Sequence, residues 1–161
     1  MSEQDFLQQI RQHQRIIHKI CAMYAPDVSE REDLFQEILM QAWRGATNFR
    51  QEAKFSTWLY QVGLNTAISH YRKSKIRLPF KALDPALMQL ADAPPADDTE
   101  LNAMYRAIGQ LDDVDKALVM LYLDDFDYNT IGEMLGISAN YVAVKMKRIK
   151  AKLQQTVHQY L

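Results

Sequence analysis

The side chains with the most direct catalytic or metal chemistry are His13, His18, His70, His158 and the single Cys21. Their spacing matches no metal motif, and the chain has no HExxH, CxxC or Gly-rich phosphate loop. Asp124, Asp125 and Asp127 lack the ligand spacing and the glycine of a calcium loop, and read as a solvated helix end. No enzyme activity, metal or cofactor is expected. Two other stretches carry chemistry of a different kind. Residues 145–152, KMKRIKAK, hold five basic groups in eight, and no acid follows Glu133. Residues 55–72, FSTWLYQVGLNTAISHYR, interleave aromatic, polar and basic side chains. Cations suit phosphate and ring faces suit unpaired bases, so both stretches point to nucleic acid.

The second stretch has helical length but no single apolar face. At about 100° per residue, Phe55, Leu59 and Val62 share one side with Thr66. Tyr60, Leu64, Ala67 and Tyr71 fall roughly opposite, and Trp58, Gln61, Asn65 and Arg72 form a third stripe. A surface helix normally buries one stripe, so this one is expected to have neighbours on more than one side. Phe55 and Leu59 read as core. Trp58 is open between core and ligand face. Phe49, Arg50, Lys54, Trp58, Tyr60, Arg72 and Lys73 would suit a single-strand surface.

The basic run closes a second pattern, DYNTIGEMLGISANYVAVKMKRIKAKL. Ile131, Met134 and Leu135 predict a short apolar helix, Gly136 a tight turn, and Ser138 the cap of a second helix. Val142, Met146, Ile149 and Leu153 then fall within about 60° of one another and are core. A short helix, a glycine turn and a basic helix make a helix-turn-helix pattern. The face opposite that core carries Asn140, Val144 and Lys147, flanked by Tyr141, Ala143 and Arg148. Asn140 suits an adenine edge, Ala143 or Val144 a thymine methyl, and Lys147 or Arg148 guanine or phosphate.

The elements that must position these residues divide in two. Four of the five prolines lie in residues 76–100, which read as a flexible linker with one helical turn around Ala86 to Leu90. The expected domains are 1–75, helical, and 101–161, helical with the helix-turn-helix. In the first, Phe6, Ile10, Ile17, Ile20 and Cys21 form the stripe of one helix. Ser29 and Glu32 are placed as a capping box for the next. There Leu34, Ile38 and Trp43 lie near one face, with Gly45 as a stop. In the second, Asp112 is the candidate cap of DDVDKALVMLYLDDF. The fold class is all-α. Apolar residues are 48% and charged residues 24% of the 161, an ordinary globular composition, and net charge is −1. One cysteine excludes an internal disulfide, and no apolar run approaches a membrane span. A cytoplasmic protein without membrane insertion is expected.

EDLFQEILMQAWRGATNFRQEAKFSTWLYQVGLNTAISHYRK resembles region 2 of bacterial sigma-70 family factors, through D-L-x-Q-E, A-W and F-x-T-W-L-Y. LDDVDKALVMLYLDDFDYNTIGEMLGISANYVAVKMKRIKAKL is similar to region 4 of the same family. The order of the two, with a Pro-rich joint between them, resembles the extracytoplasmic-function (ECF) group. The resemblance implies a dissociable RNA polymerase subunit that recognises promoters and assists DNA opening. By motif, Asp33, Gln36, Glu37 and Gln41 would belong to the polymerase-docking helix. Phe55, Trp58, Tyr60, Gln61, Asn65 and Arg72 would meet the element near about −10 as its strands part. Asn140, Tyr141, Ala143, Val144, Lys147 and Arg148 would face the duplex element near about −35. The implied partners are core RNA polymerase and promoter DNA, with an anti-sigma factor as a further candidate.

Four positions depart from the family pattern. Gly132 stands where such helices commonly carry Ala, Gly63 replaces a usual small helix former, and Ala143 and Lys145 break the common V-K-S-R run. The alternative reading is a stand-alone homodimeric helix-turn-helix regulator. It accounts for 127–153 but gives the DLFQE and FSTWLY patterns no purpose, and no heptad seam offers a dimer surface.

Overall fold

Pro26 sets the first boundary in the chain. Ala25, the residue before it, is extended (φ −102°, ψ 126°), as the ring of a following proline requires. In the computed structural model, which describes residues 1–49, 54–73 and 99–159, α1 (Glu3–Tyr24) therefore ends one residue earlier. Ser2 Oγ starts it by accepting the Asp5 N–H at 3.1 Å. The next helix, α2 (Val28–Ala46), begins earlier than the Ser29–Glu32 spacing suggests. Asp27 is extended and its carboxylate accepts the Glu30 N–H at 2.8 Å, which leaves Ser29 inside the first turn. Gly45 does not stop α2. It lies within the last turn, where the Trp58 ring covers it: a Cβ there would sit 3.2 Å from Trp58 Cζ2.

The third helix, α3 (Phe55–Lys73), packs against both α1 and α2. Phe55, Leu59, Tyr60, Gly63, Leu64, Thr66 and Ala67 are all buried. On a helical wheel they cover one continuous half of the helix, with Gly63 near the centre of the arc. A Cβ on Gly63 would lie 2.5 Å from Ile20 Cδ1 and 3.8 Å from Ile38 Cγ2, so this is where the three helices meet. The two apolar sides of α3 are thus the flanks of one broad buried face, and glycine at its centre is why the face is hard to read. Thr66 lies in the same arc with its hydroxyl donating to the Val62 carbonyl at 2.7 Å. In α2, Leu34, Ile38 and Ala42 supply the core at i, i+4, i+8. Trp43 does not join them; it is 45% exposed and leans on Phe6 with ring centroids 5.0 Å apart.

Internal contacts divide the chain into two compact units, the first holding α1–α3. The second holds α4 (Thr99–Gly109), α5 (Asp113–Leu123), α6 (Tyr128–Leu135) and α7 (Ala139–His158). Among the described residues there are seven helices and no strand. Helix α5 is central: Lys116 to Leu121 are buried in six successive positions, and α4, α6 and α7 all pack on it. Asp112 caps it, accepting the Asp115 N–H at 2.9 Å. Asp127 caps α6 through the Thr130 N–H at 2.7 Å, and Ser138 caps α7 through the Tyr141 N–H at 3.1 Å. Gly136 holds the turn between them at φ 72°, in the left-handed region, and its N–H returns to the Gly132 carbonyl. Most of the expected linker, including the turn around Ala86 to Leu90, lies outside the described residues.

Candidate nucleic-acid interface

Helix α7 has a core side and an open side. Val142, Met146, Ile149 and Leu153 are buried, and Asn140, Tyr141, Ala143, Val144, Lys147 and Arg148 are all exposed. Tyr141 and Val144 are large apolar groups left about half accessible, at 48% and 50%. The five cations of the basic run do not act alike. Lys145 turns inward to Asp115 in the first turn of α5, Nζ to Oδ1 3.1 Å. That hydrogen bond holds its ammonium above the ordinary lysine value, against the opposing effect of burial. Lys150 lies over the Tyr122 ring, 4.5 Å from the centroid, and hydrogen bonding to that tyrosine raises it likewise. Lys147, Arg148 and Lys152 stay exposed. An exposed patch of polar, apolar and cationic groups at a helix start has the chemistry to read base edges and to pair with phosphate.

In the first unit the third stripe of α3 is what remains outside the buried half. Asn65 is exposed, and Gln61 and Trp58 are half-buried. Trp58 packs at a tilt against Phe49 and Phe55, at 5.1 and 5.3 Å between centroids. It is therefore part wall, part surface. Phe55 and Tyr60 do not belong to an accessible stripe. They are 9% and 3% exposed, turned into the helix contacts by the same arc that buries Leu59 and Leu64. Arg72 lies in the last turn of α3, but its side chain is outside the described ones. Phe55 instead joins rings across three elements: Phe6 of α1 at 6.5 Å, and Phe49 at 5.7 Å.

The α2 residues divide as well. Asp33 and Gln36 are exposed, but Glu37 and Gln41 are half-buried and bonded to each other, Gln41 Nε2 donating to Glu37 Oε1 at 3.1 Å. They border a polar cleft of about 320 Å³ with Asn65, Thr66, Ser69 and His70 of α3. Two residues expected to dock a partner therefore share a cleft with one expected to meet DNA. Ser69 and His70 carry no signal of this in the sequence, because only the packing of α3 on α2 brings them there. Among the described residues no group of three His, Cys, Asp or Glu side chains is placed to hold a metal ion. No described helix is long and apolar enough to cross a membrane.

Comparison with known proteins gives these faces a context. The chain matches the family profile Sigma-70 region 2 over residues 9–76 and the profile Sigma-70, region 4 over residues 101–153. The ECF RNA polymerase sigma factor SigM of Bacillus subtilis is 30% identical over 134 residues, covering 79% of this chain and 82% of that one. The SigM of Mycobacterium tuberculosis is 26% identical over 149 residues, covering 92% and 74%. The fold is similar to that of the sigma factor RpoE from Bartonella quintana, solved with the anti-sigma factor NepR. The TM-score is 0.74 at 19% identity, over 96% of this chain and 97% of that chain. A stand-alone helix-turn-helix regulator would leave the match over 9–76 without explanation. With both regions present in order, the chain belongs to the ECF group of sigma-70 family factors, the RNA polymerase subunits that recognise promoters and initiate transcription.

Proposed function

We propose that the two units divide promoter recognition by the state of the DNA. The open face of α7, from Asn140 to Arg148, reads the upstream element as duplex. The Trp58–Gln61–Asn65 stripe of α3 receives bases of the downstream element as the strands separate. Asp33 and Gln36, with Glu37 and Gln41 beside them, form the polymerase-docking edge of α2. The observation that carries this reading is the half-and-half burial of α3: one half is committed to α1 and α2, while the aromatic and amide stripe opposite stays partly accessible, most so at Asn65. Phe55 and Tyr60 support that stripe from behind. Parting the strands costs base stacking, and a ring or amide that receives an exposed base offsets part of the cost, at about 1–3 kcal/mol per stacked base. Docking on polymerase fixes both DNA faces at once, which turns two weak contacts into a strong one.

Domains 1–75 and 101–161, joined by a linker, act in the cytoplasm where polymerase and DNA are. They catalyse no bond chemistry of their own. An anti-sigma factor is a further partner in this reading, supported by the NepR complex of the structural relative.

The test is reconstitution with core RNA polymerase, followed by retention on immobilised polymerase and run-off transcription. Asp33→Lys is expected to reduce retention. Trp58→Ala is expected to keep retention and reduce permanganate-reactive, opened DNA. A purified chain that forms no polymerase complex but binds duplex DNA as a stable dimer overturns the reading.

A further inference from the structure

Lys145 breaks the family pattern, and the structure places it in an unusual setting. It follows Tyr141 by four residues on α7, so the two side chains are neighbours along one edge of the helix. Its Nζ is 3.1 Å from Asp115 Oδ1 and 5.6 Å from the centroid of the Tyr141 ring. A cation within about 6 Å of an aromatic face is attracted by the ring quadrupole. Asp115 is itself fixed, because its N–H is bound by the Asp112 cap in the first turn of α5. Tyr141 is anchored through its own N–H to Ser138 Oγ and is 48% exposed. A chain of contacts therefore runs from the start of α5, through an ammonium, to an aromatic ring at the start of α7. The ion pair is only about a fifth exposed on each side, at 23% and 18%.

We propose that Lys145, held by Asp115, is a positioning residue that fixes the Tyr141 ring as a specificity-determining contact for one base pair of the upstream element. This rests on α7 being the helix that reads that element. A freely rotating tyrosine samples several rotamers and discriminates poorly, whereas a fixed ring presents an apolar edge at one place in the groove. A thymine methyl is the base feature that such an edge fits. The same geometry sets the electrostatics. Lys145 has its counter-charge inside the protein, so it displaces few counterions from DNA, unlike Lys147 and Arg148.

The probe is a duplex library randomised across the upstream element, bound by the full chain reconstituted with core polymerase at several salt concentrations. Tyr141→Ala and Lys145→Met are both expected to relax preference at the same base pair, by roughly three- to fivefold. Lys145→Met should leave the slope of log affinity against log salt unchanged, while Lys147→Ala lowers that slope by about one. Lys145→Arg, which can pair with Asp115 and cover the ring, should restore the preference, and Asp115→Asn should relax it. Asp115→Asn keeps the shape of the side chain, so it carries the test if Lys145→Met does not fold. A lower salt slope with base preference intact would make Lys145 a plain phosphate contact and overturn the proposal. So would a Tyr141→Ala variant with unchanged preference at every position. If Lys147→Ala and Arg148→Ala also leave affinity and slope unaltered, α7 is not the reading helix, and the underlying reading fails with the inference.

Discussion

Helices α3 and α7 each carry a stripe proposed to meet DNA, and they carry it differently. In α7 the six residues of the open face are all exposed and the four core residues all buried. The surface proposed to read duplex is therefore already open without DNA, as suits a ligand whose groove is already formed. In α3 the stripe is interrupted: Asn65 is open, but Trp58 is wedged among Phe49, Phe55 and the bare backbone of Gly45. Its ring cannot stack fully on a base without leaving some of these contacts. The difference teaches that one face is preformed and the other has to be remodelled. On the proposed reading, strand capture draws on the aromatic packing of the first unit, while upstream reading leaves the core of the second unit unchanged.

Two glycines give the sharpest way to break this comparison, and the largest expected effect. At Gly132 and at Gly63 a Cβ would meet an atom only 2.5 Å away. The neighbour of Gly132 is the Ile137 carbonyl oxygen, part of the turn that sets α6 against α7. It cannot step aside without moving the turn. The neighbour of Gly63 is the tip of Ile20, which can rotate. Gly132→Ala is expected to destabilise the second unit by about 1–3 kcal/mol, overpacking outweighing the up to about 1 kcal/mol of helix propensity gained. Gly63→Ala should come out near neutral in the first. Thermal melts of the two variants check the order, and equal losses would mean that the turn is as yielding as a side chain.

The next effect is on opening rather than folding. Trp58→Ala should lower the fraction of opened promoter by about tenfold, equivalent to about 1.4 kcal/mol and within the range of one lost base stack. Ser138→Ala removes the α7 cap, should cost about 1 kcal/mol, and should weaken upstream binding without touching opening once the complex has formed. Permanganate footprinting at saturating holoenzyme separates the two. A Trp58→Ala variant that loses polymerase retention in the same proportion would place Trp58 wholly in the core.

The sequence makes α7 easy to read because its pattern is one-sided, with a cap, a glycine turn and four core residues in register. The structure agrees on Ser138, Gly136 and the core positions Val142, Met146, Ile149 and Leu153. What was not legible there was the fate of the charges. Periodicity places Lys145 and Lys150 on the helix but says nothing of Asp115 or Tyr122, which come from α5. Helix α3 was harder for a physical reason: a small residue at the centre of a buried arc removes the apolar signal where contact is closest. Phe55 and Tyr60 matched the family motif, and the motif does not distinguish a side chain that touches DNA from one that supports it. Trp43 misled in the other direction, since a large ring near the core stripe ended half-exposed against Phe6.

The smallest effects concern pH, and here each unit carries a shifted group of its own. In the first, burial pushes the Cys21 thiol from its ordinary 9.0 up to about 12, with Arg31 opposing. Above 9.0 the unfolded chain releases this proton and the folded chain keeps it, so stability falls as pH rises. In the second, the Thr130 N–H and hydroxyl hold the Asp127 carboxylate below its ordinary value. The unfolded chain then takes up the proton first as pH falls, and stability is lost as pH drops through the depressed value. Both tryptophans, Trp43 and Trp58, lie in the first unit, so their fluorescence follows that unit alone while far-ultraviolet circular dichroism follows both. Alkaline melts are best read by fluorescence between 9.0 and 10.0, because Tyr105 and Lys145 of the second unit add losses of their own to circular dichroism above it. In that window the fluorescence midpoint should fall, and Cys21→Ala should flatten the fall. On the acid side, Asp127→Asn should flatten the loss seen by circular dichroism while leaving the fluorescence transition where it is. A fluorescence transition that shifts with Asp127→Asn would show that the two units do not unfold independently.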